Sequence, residues 1–102
     1  MKQMKKVEIV IERAFLPTLL EKLKELNIGG YTVLDVAQGN GGKSGNVKDY
    51  GVTDINRNSY IFTVCSIDEH DHIITAISPF IEKTGGILIC SDVTCFYPKP
   101  KD

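Results

Sequence analysis

The chain has 102 residues, with 12 Lys plus Arg against 13 Asp plus Glu and a formal charge of −1; one domain of that length buries roughly 60–65% of its unfolded surface. With 42% hydrophobic and 25% charged residues, the composition excludes a disordered or collagen-like chain, and the lack of a basic tract argues against a dedicated nucleic-acid binder. No apolar run approaches the roughly 20 residues of a membrane span and no signal peptide can be drawn, so the expectation is a cytosolic protein.

Residues 6–12 alternate, with Val7, Ile9 and Ile11 on one side and Glu8 and Glu12 on the other, which predicts a strand. From Phe15 to Leu26 the apolar positions Leu16, Leu19, Leu20, Leu23 and Leu26 recur at three and four, Pro17 suits a first helical turn, and Gly29-Gly30 ends the helix. The β-branched run from Tyr31 to Ala37 predicts a second strand. A polar stretch follows until about Asn58, where Ser59-Tyr-Ile-Phe-Thr-Val-Cys predicts a third. Asp68-Glu-His-Asp-His opens a second helix with acids in its first turn. Ile73, Ile74, Ile77, Phe80 and Ile81 form its apolar stripe and Gly85-Gly86 stop it. The last strand runs from Ile87 to Phe96, and residues 97–102 form a short tail containing Pro98 and Pro100.

The order is β-α-β-loop-β-α-β. It predicts an α+β, ferredoxin-like βαββαβ domain spanning residues 1–102: a four-stranded, mostly antiparallel sheet with both helices on one face. The other face then needs solvent or a partner. Outward-facing Val10 and the apolar residues of the last strand favour a partner, hence an oligomer.

Catalytic patterns are absent. No GxSxG, Ser-His-Asp or Cys-His arrangement has support, and Gly39-Asn-Gly-Gly-Lys-Ser lacks the glycine interval of a P-loop. His70 and His72, two apart, point about 200° away from each other on a helix and do not share an ion, so no metal site is expected. Three cysteines without a CxxC pair read as small buried or half-buried thiols, with Cys90 and Cys95 on opposite faces of a strand. An acylphosphatase-like enzyme or a metal-binding trimer on this fold is the alternative reading; for the enzyme, Arg13 is the one candidate for a phosphate cradle. The central strands are expected to lack the stacking aromatics of an RNA-binding sheet.

Five of the nine glycines, Gly39, Gly41, Gly42, Gly45 and Gly51, fall within thirteen residues of the polar stretch. Glycines let backbone N–H groups converge on an anion, and Lys43 and Lys48 supply positive charge. Gly85-Gly86 is a second place for close backbone approach, so the two glycine segments together suggest two walls of a phosphate site.

Taken in order, Met4-Lys-Lys-Val-Glu-Ile-Val-Ile, Gly30-Tyr-Thr-Val-Leu-Asp-Val, Gly39-Asn-Gly-Gly-Lys, Gly45-Asn-Val-Lys, Thr53-Asp-Ile and Gly85-Gly-Ile-Leu-Ile-Cys-Ser resemble the PII signalling superfamily. Their nearest likeness is to its PII-like branch, associated with bicarbonate transporters, carboxysomes or other membrane transporters. The resemblance extends to about Val93. It implies a homotrimer that binds adenine nucleotides between subunits, and a regulatory protein rather than an enzyme, without a prosthetic group. By the same resemblance Thr32 contacts adenine, flanked by Gly30, Tyr31 and Val33. Gly39, Gly41 and Gly42 form the phosphate side of the T-loop base (about residues 38–56), Lys48 meets phosphate, and Gly85, Gly86 and Ile87 face the phosphates as the B-loop. The implied partner is a protein target, such as a membrane transporter or a protein of carbon or nitrogen metabolism, and not a nucleic acid. Ile87 replaces the B-loop lysine of typical PII proteins, and their C-terminal arginine pair is represented at best by Lys99 and Lys101. ADP or AMP is therefore expected to bind at least as well as ATP, with cyclic AMP and bicarbonate as further candidates. The surroundings of Tyr50 do not match a uridylylation site.

Overall fold

The computed structural model describes residues 1–28, 30–36 and 57–96. Strand β1 (Lys2–Glu12) leads through a short 3-10 turn into helix α1 (Leu16–Glu25). Strands β2 (Thr32–Asp35) and β3 (Asn58–Cys65) follow, then helix α2 (Ile67–Thr84) and strand β4 (Ile87–Cys95). All pairings are antiparallel and the spatial order is β2-β3-β1-β4, as the predicted architecture requires.

Alternation decides which residues form the core. Val7, Ile9 and Ile11 of β1 and Ile61 and Cys65 of β3 share one face, and Leu19 and Leu23 of α1 and Ile73, Ile77 and Ile81 of α2 complete the buried cluster. The opposite face carries two four-strand rows: Leu34, Tyr60, Val10 and Ile87 in one, Thr32, Phe62, Glu8 and Ile89 in the next. No helix of the described residues is long and apolar enough to cross a membrane.

Several element ends differ from expectation. Strand β1 begins at Lys2, because its polar first residues pair with Val93–Cys95. Helix α1 turns back at Asn27 (φ 61°) rather than at the glycines, since asparagine also adopts the left-handed region. Strand β2 ends at Asp35 and leaves Tyr31 outside it. Helix α2 is capped by Ser66, whose hydroxyl accepts from the Glu69 N–H at 3.1 Å while the Glu69 carboxylate accepts from the Ser66 N–H at 2.9 Å, a reciprocal capping box. The helix runs on through Pro79. Cys90 is exposed rather than buried, although its register partner Val7 faces the helices. Tyr60 and Phe62 place two half-buried aromatics on the open face of a central strand.

Candidate functional site

The turn after α1 is built by backbone bonds: the Asn27 N–H donates to the Lys24 carbonyl at 3.0 Å and the Ile28 N–H to the Leu23 carbonyl at 3.1 Å. Ile28 is buried and anchors the turn in the core. The Gly30 carbonyl then accepts the hydroxyl of buried Thr63. From there Val33 packs against the core opposite Ile61, while Thr32, opposite Phe62, lies exposed on the open face. Tyr31 is exposed on the α1 side, where it lines a shallow concavity of ≈ 570 Å³ with Pro17, Leu20, Lys24 and Asn27.

The second segment is made by the end of α2. Gly85 takes φ 87°, and its N–H donates to the Ile81 carbonyl at 2.8 Å, the left-handed cap for which glycine is favoured. Gly86 has a different reason to be glycine. A Cβ there would stand 2.5 Å from Ile11 Cγ2 and 2.6 Å from the Val10 carbonyl oxygen, so only a residue without a side chain lets this turn rest on β1. Ile87 then pairs with Val10 and projects onto the open face, 56% exposed.

The strand order separates these segments. Residues 30–33 run along one edge of the sheet and Ile87 lies on the other, three strand spacings or roughly 14 Å away. Segments at opposite edges of one sheet do not face each other. Within one chain the two segments therefore lie at separate margins of the sheet. Gly39, Gly41, Gly42 and Lys48, together with the T-loop span 38–56 and the tail 97–102, lie outside the described residues.

Arg13 stands where the long loop departs and returns. Its guanidinium is 2.8 Å from the Asp35 carboxylate before the loop, and its backbone N–H donates to the Arg57 carbonyl after it at 2.7 Å. The arginine that an acylphosphatase would aim at phosphate is here engaged by a carboxylate. His70 Nδ1 lies 3.0 Å from Asp71, and among the described residues no group of three or more His, Cys, Asp or Glu could hold a metal ion. Lys5 and Asp92 pair at 2.6 Å. That bond, then the attraction between the charges, holds the Asp92 carboxyl below its ordinary range. Burial pushes the Cys65 thiol up.

A two-layer βαββαβ sheet with residues 30–33 and 85–87 at opposite edges defines a ferredoxin-like domain. The family model "Nitrogen regulatory protein P-II" matches residues 4–97, and the chain belongs to that family. Among solved structures, CPII, a nitrogen regulatory PII-like protein from Thiomonas intermedia K12, bound to ADP, AMP and bicarbonate, is similar with TM-score 0.77 at 20% identity, over 94% of this chain and 91% of that one. Its apo form matches with TM-score 0.72 at 19% identity, over 94% and 95%. A putative PII-like signaling protein from Thermus thermophilus matches with TM-score 0.71 at 22% identity, over 90% and 88%. No curated protein matches the chain significantly.

Proposed function

We propose that this protein is a non-catalytic cytosolic regulator that assembles as a homotrimer and binds adenine nucleotides between its subunits. One observation carries the reading: the strand order puts residues 30–33 and 85–87 on opposite edges of one sheet, so a heterologous contact between copies brings the first edge of one against the second edge of the next. The nucleotide-bound state of the similar CPII structure, with ADP, AMP and bicarbonate, supports the ligand class.

In this assignment Thr32 receives the adenine, with Gly30, Tyr31 and Val33 shaping its wall. Gly85, Gly86 and Ile87 approach the phosphates with backbone alone. That end of α2 carries the partial negative charge of a helix C-terminus, so positive charge must come from elsewhere, and Lys48 is assigned to supply it. Gly39, Gly41 and Gly42 complete the phosphate side. With Ile87 in the B-loop instead of lysine, ADP or AMP binds at least as well as ATP, and cyclic AMP and bicarbonate are further ligands to test.

Output is a population shift. One nucleotide holds residues 38–56 in a form that a target protein accepts and a competing nucleotide does not; a membrane transporter or a protein of carbon or nitrogen metabolism is the target class. A coupling of about 1–3 kcal/mol gives roughly 5–150-fold discrimination. Calorimetric titration with ATP, ADP, AMP and cyclic AMP, repeated with bicarbonate, tests the reading. Saturable binding near one nucleotide per subunit is expected, and the absence of heat and of thermal stabilisation with all four would refute it.

A further inference from the structure

The open face of the sheet carries its charges on β1 alone, Lys2 and Glu12 at the ends and Lys6 and Glu8 in the middle. The two central charges do not stand bare. Glu8 accepts the Tyr60 hydroxyl at 2.6 Å and lies 3.8 Å from Lys6 Nζ, and that ammonium sits 5.1 Å from the centroid of the Phe62 ring. Tyr60 and Phe62 are themselves in contact, centroids 5.9 Å apart. The Lys6 and Glu8 side chains are only 31% and 23% exposed before anything covers the face.

We propose that the Lys6–Glu8–Tyr60 cluster is the polar key by which this face selects a second copy of the chain and fixes how that copy seats. The inference rests on the assembly proposed above and adds residues that neither glycine segment contains. A lone carboxylate under an apolar partner would be prohibitively costly. Here it arrives paired, so the face can be covered. A carboxylate nevertheless has acceptor sites beyond one hydroxyl, and a partner surface that offers them no donor leaves charge unsatisfied. A single polar position within an otherwise apolar contact is a known means of fixing register.

A copy of the chain is the fitting occupant for two reasons. Leu34 on the β2 side and Ile87 and Ile89 on the β4 side are 52%, 56% and 45% exposed, apolar margins at both edges that a head-to-tail ring of copies covers together. Single-stranded RNA, which other sheets of this shape bind on a pair of β3 aromatics, fits poorly: Phe62 is already topped by Lys6, Tyr60 is tied to Glu8, and the carboxylate repels backbone phosphate.

Sedimentation velocity across protein concentration tests the proposal on the full chain, using the wild type, Tyr60→Phe, Glu8→Gln and the combined Lys6→Met, Glu8→Leu, Tyr60→Phe variant. Each single change is expected to raise the concentration at which the assembly falls apart by at least about tenfold, since it leaves one buried polar partner unsatisfied. The combined variant, with no charge to satisfy, is expected to assemble as tightly as the wild type but into a broader distribution of sizes. Thermal melts of both single variants separate weakened assembly from unfolding, and Glu8→Gln retains an acceptor for Tyr60. Single variants that assemble like the wild type overturn the polar key while leaving the assembly standing. A monomeric wild type overturns the assembly itself, and saturable binding of single-stranded poly(U) to the wild type, lost in Phe62→Ala, overturns the choice of occupant.

Discussion

The buried Thr63 hydroxyl donates to the Gly30 carbonyl and so ties the turn before β2 to the centre of the sheet. Thirty-three positions separate the two residues, and the bond fixes the chain between the buried Ile28 and the start of β2 pairing at Thr32. Removing it with Thr63→Val keeps the shape and lets the exposed Gly30 carbonyl turn to water, at a cost of about 1 kcal/mol or less. Nucleotide affinity is expected to fall severalfold while the melting temperature moves little, and Thr63→Ser is expected to restore it. Calorimetry on the two variants checks this.

Gly85 and Gly86 differ in what a methyl group would meet. At Gly85 there is space but φ is 87°, so Gly85→Ala is expected to cost about 1 kcal/mol. At Gly86 the new Cβ would strike β1 at 2.5 and 2.6 Å. Gly86→Ala is therefore expected to cost about 1–3 kcal/mol through backbone displacement and to weaken nucleotide binding more than Gly85→Ala. Urea unfolding of both variants gives the order.

Much of the fold was legible because β1, β3 and both helices carry clean periods of two or 3.6. What escaped was non-local or ambiguous. Lys2–Met4 has no alternation and becomes strand only through β4. The Ser66-x-x-Glu69 signature stands in the sequence beside acids at 68, 69 and 71 that favour a helix start by themselves, so the cap is distinguished only by its reciprocal bonds. The exposure of Cys90 depends on how far the helices reach over β4. The clamp of Arg13 on Asp35 joins positions that no local pattern connects. The parity that puts Tyr60 and Phe62 on the open face was present in the strand, and their neighbours Glu8 and Lys6 became visible only with the register. The resemblance marks residues 30–33 and 85–87 as site segments, but their separation to opposite edges follows from the strand order.

Ser59 is fully buried opposite Ile11, and its hydroxyl has no hydrogen-bond partner among the described residues. An unpaired buried hydroxyl is a cost rather than a support. Ser59→Ala is expected to leave stability unchanged or raise it by up to about 1 kcal/mol, measured by urea unfolding.

The Lys5–Asp92 pair sets a pH window. Hydrogen bonding to Lys5, then charge attraction, lowers the Asp92 pKa, so the folded state binds fewer protons than the unfolded one. That contribution is present above the ordinary carboxylate range and is lost as pH falls through the depressed value. The Lys5 pKa is raised, first by the same hydrogen bond, so its share is present below the ordinary lysine range and is lost as pH rises through the elevated value. In Lys5→Met the Asp92 carboxyl is expected to titrate higher, as followed by carboxyl NMR.

The central claim, that one nucleotide site draws on two copies of the chain, is tested most directly by complementation. Thr32→Trp blocks one wall and Ile87→Asp repels phosphate at the other, so neither variant alone is expected to bind ADP. In mixed trimers formed at equal proportions, each site pairs one edge from each neighbour, and about one quarter of sites regain both intact edges. Recovery of ADP binding to about that fraction in the mixture is the expected result; no recovery, with mixed trimers demonstrably formed and the wild type binding ADP, would contradict a site shared between subunits.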